Sequence, residues 1–352
     1  MIKYKQRSLP LCFGLILFSL SACQKHEDAQ KTTEHKSAKA ESQASNVAEI
    51  PAFPEDCNSV DTAISSLEKT YSPEGLNTLN QLFKKCLADV PLETRYQWQE
   101  KSTEIYQHLL SESSPEVYQY MTNTLANLEP MSAKQKKELY KKLKPKAQYL
   151  VDHAKALYLE KFYVGEGEYT FVQHPQYDLD IFAPYLEKSD QIYFKQIRQE
   201  YLGENYILDA GLSISFDEVA DRLLFWENFK KTYPNNHYKT KVDEYIKQYG
   251  AALFKGDDNT RTLWFDENKI ADPEAMRAIK KVSISYSLSS PIAQKFEQLI
   301  QSNKQLWEQL PKTSGIDADY DSPEQQDIRN QRDALENKIK KNVDELLKPF
   351  DN

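Results

Sequence analysis

Glycine is scarce in this chain, 9 residues in 352. Sheets and barrels need glycine-bearing turns at short intervals, so a protein built mainly of hairpins is excluded. Abundant Lys, Glu, Gln, Leu and Ala point instead to helices. Motifs that announce chemistry are also missing. There is no phosphate-cradling glycine loop, no His-Glu-x-x-His zinc-protease pattern and no Cys-x-x-Cys pair. Gly211-Leu212-Ser213-Ile214-Ser215 opens like a hydrolase nucleophile elbow, but Ser215 stands in place of the second glycine and the surrounding strand alternation is absent. Basic residues are outnumbered, 45 against 53 acidic for a net charge of −8, which argues against a nucleic-acid partner. No cofactor is expected.

What is present begins with compartment. Lys3, Lys5 and Arg7 precede an apolar run, Leu11 to Leu20, that is too short to span a bilayer permanently. Leu20-Ser21-Ala22-Cys23 then combines small, accessible residues with a cysteine. This resembles the bacterial lipoprotein signal, or lipobox. The resemblance covers residues 1–23 and implies that residues 1–22 are a signal peptide cleaved before Cys23, whose thiol and new amino terminus are acylated. Such chains anchor a protein lastingly to a membrane. Gln24, not aspartate, follows the cysteine, and the family's sorting rule then implies the outer membrane, facing the periplasm. Loss of the signal leaves 42 basic against 53 acidic residues, a charge of −11 by this count.

From Cys23 to residue 50 the chain is polar, with Val47 its only large aliphatic residue before residue 50, and is expected to be a disordered tether. A tether of about 26 residues averages roughly 30 Å end to end and extends to about 90 Å. Folding is expected from residue 51, in an N-terminal helical part (51–163), an irregular aromatic loop (164–189) and a C-terminal helical part (190–352). Val60, Ala63, Ile64 and Leu67 form one helical face, and Ser72-Pro73-Glu74 opens a second helix carrying Leu76, Leu79, Leu82 and Phe83. An antiparallel hairpin of these helices brings Cys57 beside Cys86. With Cys12 removed and Cys23 acylated these are the two remaining thiols in an oxidising compartment, and a disulfide between them is expected. Further amphipathic helices are read at 92–110, 115–128, 133–143 and 146–163. Lys134 to Lys146 holds seven lysines, a solvated face or a surface for anionic headgroups.

Helical patterning breaks at Gly165-Glu166-Gly167-Glu168, and aromatics then mix with His and Asp through residue 185. Tyr169, Phe171, His174, Tyr177, Asp178 and Asp180 are the expected partner-binding residues, because aromatic rings with a polar handle suit recognition surfaces. Helices resume at 190–201, 216–232, 273–281, 291–310 and 323–347. Trp264 and Phe265 are expected to anchor a polar loop, and Trp307 to fill the last interface. Phe225, Phe229, Tyr233-Pro234-Asn235 and Tyr238 resemble the helix boundary of tetratricopeptide-type envelope lipoproteins, although Val242 stands where that family prefers a small residue. Asp317, Asp319 and Asp321 alternate like a calcium loop, but Ser322 and Ile328 replace its glycine and bidentate glutamate, and no metal is expected. The expectation is an all-α protein, antiparallel helix hairpins stacked as a helical-repeat-like array with one irregular aromatic region near 163–185. Its role is that of a lipid-anchored interaction or scaffold protein with an envelope protein partner, and not an enzyme. The alternative is an envelope glycan hydrolase using Glu166, Glu168, Asp178 or Asp180 as acid and base.

Overall fold

A computed structural model describes residues 56–125, 131–267, 269–312 and 322–351, all within one unit that begins at Ile50. The amphipathic spacing of the first segment forms α1 (Val60–Thr70), which Tyr71 ends in a left-handed conformation. The next helix, α2 (Pro73–Cys86), starts where the Ser72 hydroxyl accepts the Gly75 N–H and proline supplies a preset backbone angle. Their apolar faces meet over Val60, Leu67, Leu76, Leu79 and Phe83, all fully buried. Cys57, in a short 3-10 turn, comes to disulfide distance of Cys86, with sulfurs 2.10 Å and Cα atoms 5.4 Å apart.

The long helix α3 (Leu92–Leu125) departs from the sequence expectation of a break before Pro115. An internal proline costs roughly 3 kcal/mol, but here apolar anchors on both sides hold the helix together. Tyr106 and Leu109 are buried before the proline, Val117 and Met121 after it. Two short helices follow, α4 (Ala133–Tyr140) behind a Ser132/Gln135 capping box and α5 (Pro145–His153). α4 buries no residue; Lys134 and Lys137 are exposed and Lys136 is half-buried.

The expected helix through Tyr163 and the expected irregular loop are both replaced by an antiparallel hairpin, β1 (Leu159–Gly165) and β2 (Glu168–Gln173), and a short helix, α6 (Gln176–Ile181). Gly165, Glu166 and Gly167 all take positive φ, which is what turns the chain back. Tyr, Thr, Phe and Val on either side supply the pleated surface. β2 lies along α3, where the Tyr169 N–H donates to Thr122 Oγ1 at 3.2 Å.

Beyond a 3-10 turn comes α7 (Lys188–Glu200), then a two-residue hairpin, β3 (Ile207–Leu208) and β4 (Gly211–Leu212). α8 (Phe216–Thr232) and α9 (Lys239–Phe254) are joined through Tyr233-Pro234. After a third small hairpin, β5 (Gly256–Asp257) and β6 (Thr260–Arg261), come α10 (Pro273–Ser283), α11 (Ser290–Gln309) and α12 (Pro323–Asp351). α8 packs on α9 and α10, α10 on α11, and α12 on α9 and α11. Gly250 lets α9 and α12 approach closely, because a Cβ there would lie 2.3 Å from the Phe350 ring. The protein is therefore mostly helical, with three short hairpins among the described residues that the all-α expectation did not include.

Trp307 is buried as expected, donating to the Asp266 carbonyl at 2.7 Å beneath the Arg332 guanidinium. Trp264 is not: it is 44% exposed while Phe265 packs on Trp307. Phe265 takes a left-handed backbone conformation, φ 46°, at this point, and its ring anchors the loop while the neighbouring indole faces out. Among the described residues no helix is long and apolar enough to cross a membrane.

Candidate functional site

The segment β2–α6 is the wall between two grooves, and the reason lies in helix geometry. Residues two apart on a helix point in nearly opposite directions, whereas residues four apart share a face. In α6 the pair Tyr177 and Ile181 turns into the core and is fully buried. Asp178 then opens to one groove and Asp180 to the other.

Tyr177 is accordingly a core residue and not part of a binding surface, which corrects the expectation for it. Its hydroxyl donates to Asn80 Oδ1 at 2.9 Å and also meets Ser102. Asn80 in turn donates to Tyr106, whose hydroxyl donates to the Leu157 carbonyl at 2.8 Å. Each buried polar group has a partner, so the network fixes α2, α3 and α6 together. Tyr169 is likewise half-buried, with its ring 5.2 Å from that of Tyr163.

The first groove, about 1060 Å³, holds Phe171, His174 and Asp180 of the expected set. Tyr120, Met121 and Val151 add apolar surface from α3 and α5. Lys84, Lys136, Lys155, Lys161 and Arg198 converge on it against two carboxylates, Glu160 and Asp180. Neither carboxylate neutralises a lysine or arginine. Glu160 lies 3.0 Å from His174 Nε2, and Asp180 accepts from Gln176 at 2.9 Å and Tyr158 at 3.1 Å. None of the five cations forms an ion pair among the described residues. Lys84 sits over the Tyr158 ring and Arg198 donates to the Gln176 amide oxygen. Elsewhere Lys101, Lys144, Lys230 and Lys281 each reach a carboxylate.

His174 Nδ1 accepts the Gln176 N–H at 2.9 Å, which leaves the proton on Nε2, facing Glu160. Desolvation lowers its pKa below the ordinary 6.5, with Glu160 acting in the opposite direction. The imidazole is neutral at pH 7, and the groove's positive charge belongs to the lysines and arginine.

The second groove, about 740 Å³, lies between α3, α7 and α9. Its lining is rich in amides and tyrosines, including Gln99, Gln173, Tyr193 and Tyr238. Asp178 receives one hydrogen bond, from Gln99 Nε2 at 3.0 Å. Desolvation raises its pKa from 3.8 to about 6, and the Gln99 bond offsets only part of that. Tyr193 stacks on Tyr238 with ring centres 4.4 Å apart.

The four carboxylates proposed as an acid and base pair do not share a cleft. Glu166 is exposed in the β1–β2 turn, Glu168 is bonded by the Tyr118 hydroxyl, and Asp178 and Asp180 are divided between the grooves. Among the described residues no group of three or more His, Cys, Asp or Glu could hold a metal ion. Cys23, Asp317, Asp319 and Asp321 lie outside the described residues. The residues sequence reasoning missed are Gln99, Gln173, Lys84, Lys155, Arg198 and Tyr238, which reach the grooves from six different elements or turns. A Tyr-Thr-Phe-Val strand after a Gly-Glu-Gly turn was the signal that β2 would form the dividing wall.

Comparison with protein-family models, with curated proteins and with solved structures gives no match in any of the three.

Proposed function

We propose that the chain is a lipid-anchored binding protein of the bacterial cell envelope that docks an acidic segment of an envelope protein in its basic groove. The single observation that carries this reading is the gathering, around one apolar-floored groove, of five cations that form no ion pair among the described residues, in a protein whose overall charge is negative. Such a site concentrates field lines of one sign and attracts an oppositely charged partner. Four of the five cations are lysines, compact point charges without the planar fork that favours bidentate phosphate binding. Spaced carboxylates with apolar side chains between them match this lining best. The lipobox-like start and polar tether support a reading in which the folded part is held to a membrane by its acylated end. The helical pairs α1–α2, α8–α9 and α10–α11 support a reading as stacked hairpins of a repeat-like array. The separation of Asp178 from Asp180 supports binding over hydrolysis.

The test uses the full-length acylated protein in detergent and a fluorescent peptide that alternates Glu with Phe and Leu, followed by anisotropy. Binding should weaken at least about tenfold between 0.05 and 0.5 M salt, roughly as expected for screened surface charges. The double change Lys155→Glu and Lys161→Glu should abolish it. Equal binding by the charge-reversed protein, or a preference for an oligophosphate over the peptide, would refute the reading.

A further inference from the structure

The second groove has no use in that reading, and its chemistry differs. Three groups on its lining are short of hydrogen bonds. Asp178 accepts a single one. The Gln173 side-chain N–H₂ and the Tyr238 hydroxyl are buried and have no protein partner. They belong together electrically as well, since the charge of Asp178 acts on Tyr238 and on Tyr193 stacked against it. A buried polar group left unpaired is costly to the fold.

Carboxylates buried nearby are treated differently by the same fold. Glu200 accepts from Trp226 at 2.9 Å, Tyr249 at 2.7 Å and Gln196 at 2.7 Å. Asp190 accepts from Tyr96, from Ser189 and from the Glu187 N–H. Those groups are satisfied within the core. Asp178, Gln173 and Tyr238 belong instead to the lining of the groove, with the Gln173 amide nitrogen and the Tyr238 hydroxyl covered until neighbouring side chains shift.

The missing partners define the ligand. Asp178 needs a donor and Gln173 needs an acceptor, while Tyr238 takes either. A cation offers only donors and an anion only acceptors. Neighbouring hydroxyl groups offer both, and a pyranose ring adds an apolar face that packs on tyrosine rings. The other charges on the rim are already engaged: Glu100 with His237, Glu104 with Lys101 and Glu244 with Lys241. The groove therefore presents little free charge apart from Asp178. We infer that the groove between α3, α7 and α9 is a binding site for an uncharged saccharide, held by Asp178, Gln173 and Tyr238.

This site is separate from the basic groove, and the experiment keeps the two apart. Full-length acylated protein in detergent is titrated with maltotetraose and with tetra-N-acetylchitotetraose, binding being read by calorimetry and by saturation-transfer NMR. At least one oligosaccharide should bind. Tyr238→Phe removes a hydroxyl that holds nothing in the protein, so it should leave thermal stability unchanged or higher while weakening binding about fivefold. Gln173→Leu should weaken it comparably, whereas Lys155→Glu with Lys161→Glu should have no effect. Absence of binding by both oligosaccharides would overturn the inference. So would Tyr238→Phe and Gln173→Leu proteins that bind as tightly as the unaltered protein.

Discussion

Asp178→Asn should make the protein more stable, and only above a definite pH. The carboxyl has a pKa of about 6 in the folded state against 3.8 for an ordinary aspartate. The difference is close to two units, or about 3 kcal/mol favouring the protonated form in the fold. Because the folded pKa is the higher one, the folded protein binds more protons than the unfolded chain between pH 3.8 and 6. Stability from this group therefore falls as pH rises through that window, and the loss is complete above it. Asparagine keeps an oxygen to accept from Gln99 and cannot ionise. Relative to the unaltered protein the variant should gain about 3 kcal/mol at pH 7.5 and little or nothing near pH 3.5. Glu100, Glu104, His237, Lys241 and Glu244 also face this groove, but they are common to both proteins and cancel in the difference. Urea denaturation at pH 3.5, 4.5, 5.5 and 7.5, followed by circular dichroism, reads the difference directly. A gain independent of pH, or a loss at pH 7.5, would refute the assignment of a desolvated carboxylate. A gain that follows the predicted curve would mean the protein carries a costly charge where a neutral isostere fits. A group that is costly to stability is consistent with the binding role proposed for Asp178.

Three further perturbations test the rest of the structure. Replacing Cys57 and Cys86 together by serine should cost about 3 to 4 kcal/mol by removing the constraint on the intervening chain, read as a lowered denaturation midpoint; unreduced protein in which both thiols react would refute the link. Gly250→Ala should cost about 1 to 3 kcal/mol through overpacking against Phe350, and Phe350→Leu should recover part of that loss, since the clash is with the ring. His174 should titrate below 6.5, contributing stability above that value that is lost as pH falls through its folded pKa, and Glu160→Gln should move the NMR midpoint lower still.

The helices were legible because their signals are local. Ser72-Pro73 and Ser215 with Glu218 name helix starts within four residues, and Ser132 with Gln135 forms the capping box its spacing announces. The Cys57 and Cys86 approach followed from one hairpin's geometry. Misreadings arose where a local rule met a longer-range force. Pro115 reads as a boundary, yet packing on both sides carries α3 through it. The run to Tyr163 reads locally as part of an amphipathic helix, while the strand partner that decides its conformation follows the Gly165-Glu166-Gly167 turn.

The grooves were illegible for a stronger reason. Sequence offered a cluster of aromatic and acidic residues within twenty positions and no means of telling which faces they share. A six-residue helix settles that by rotation: it buries Tyr177, commits Asp178 to an amide-lined groove and Asp180 to a basic one. What Asp178 meets there comes from Gln99, seventy-nine positions earlier, and from Tyr238 beyond the next two helices. Its environment, and so its charge state, is a property of the assembled wall and not of the Tyr-Asp-Leu-Asp stretch. If the wall is right, Asp178→Asn and Asp180→Asn have separable consequences. The first alters stability with pH and saccharide binding, while the second leaves an oxygen for only one of Tyr158 and Gln176 and makes the basic groove more positive. Acidic-peptide affinity should then rise in the second variant and not in the first, and identical behaviour of the two would show that they act on one site.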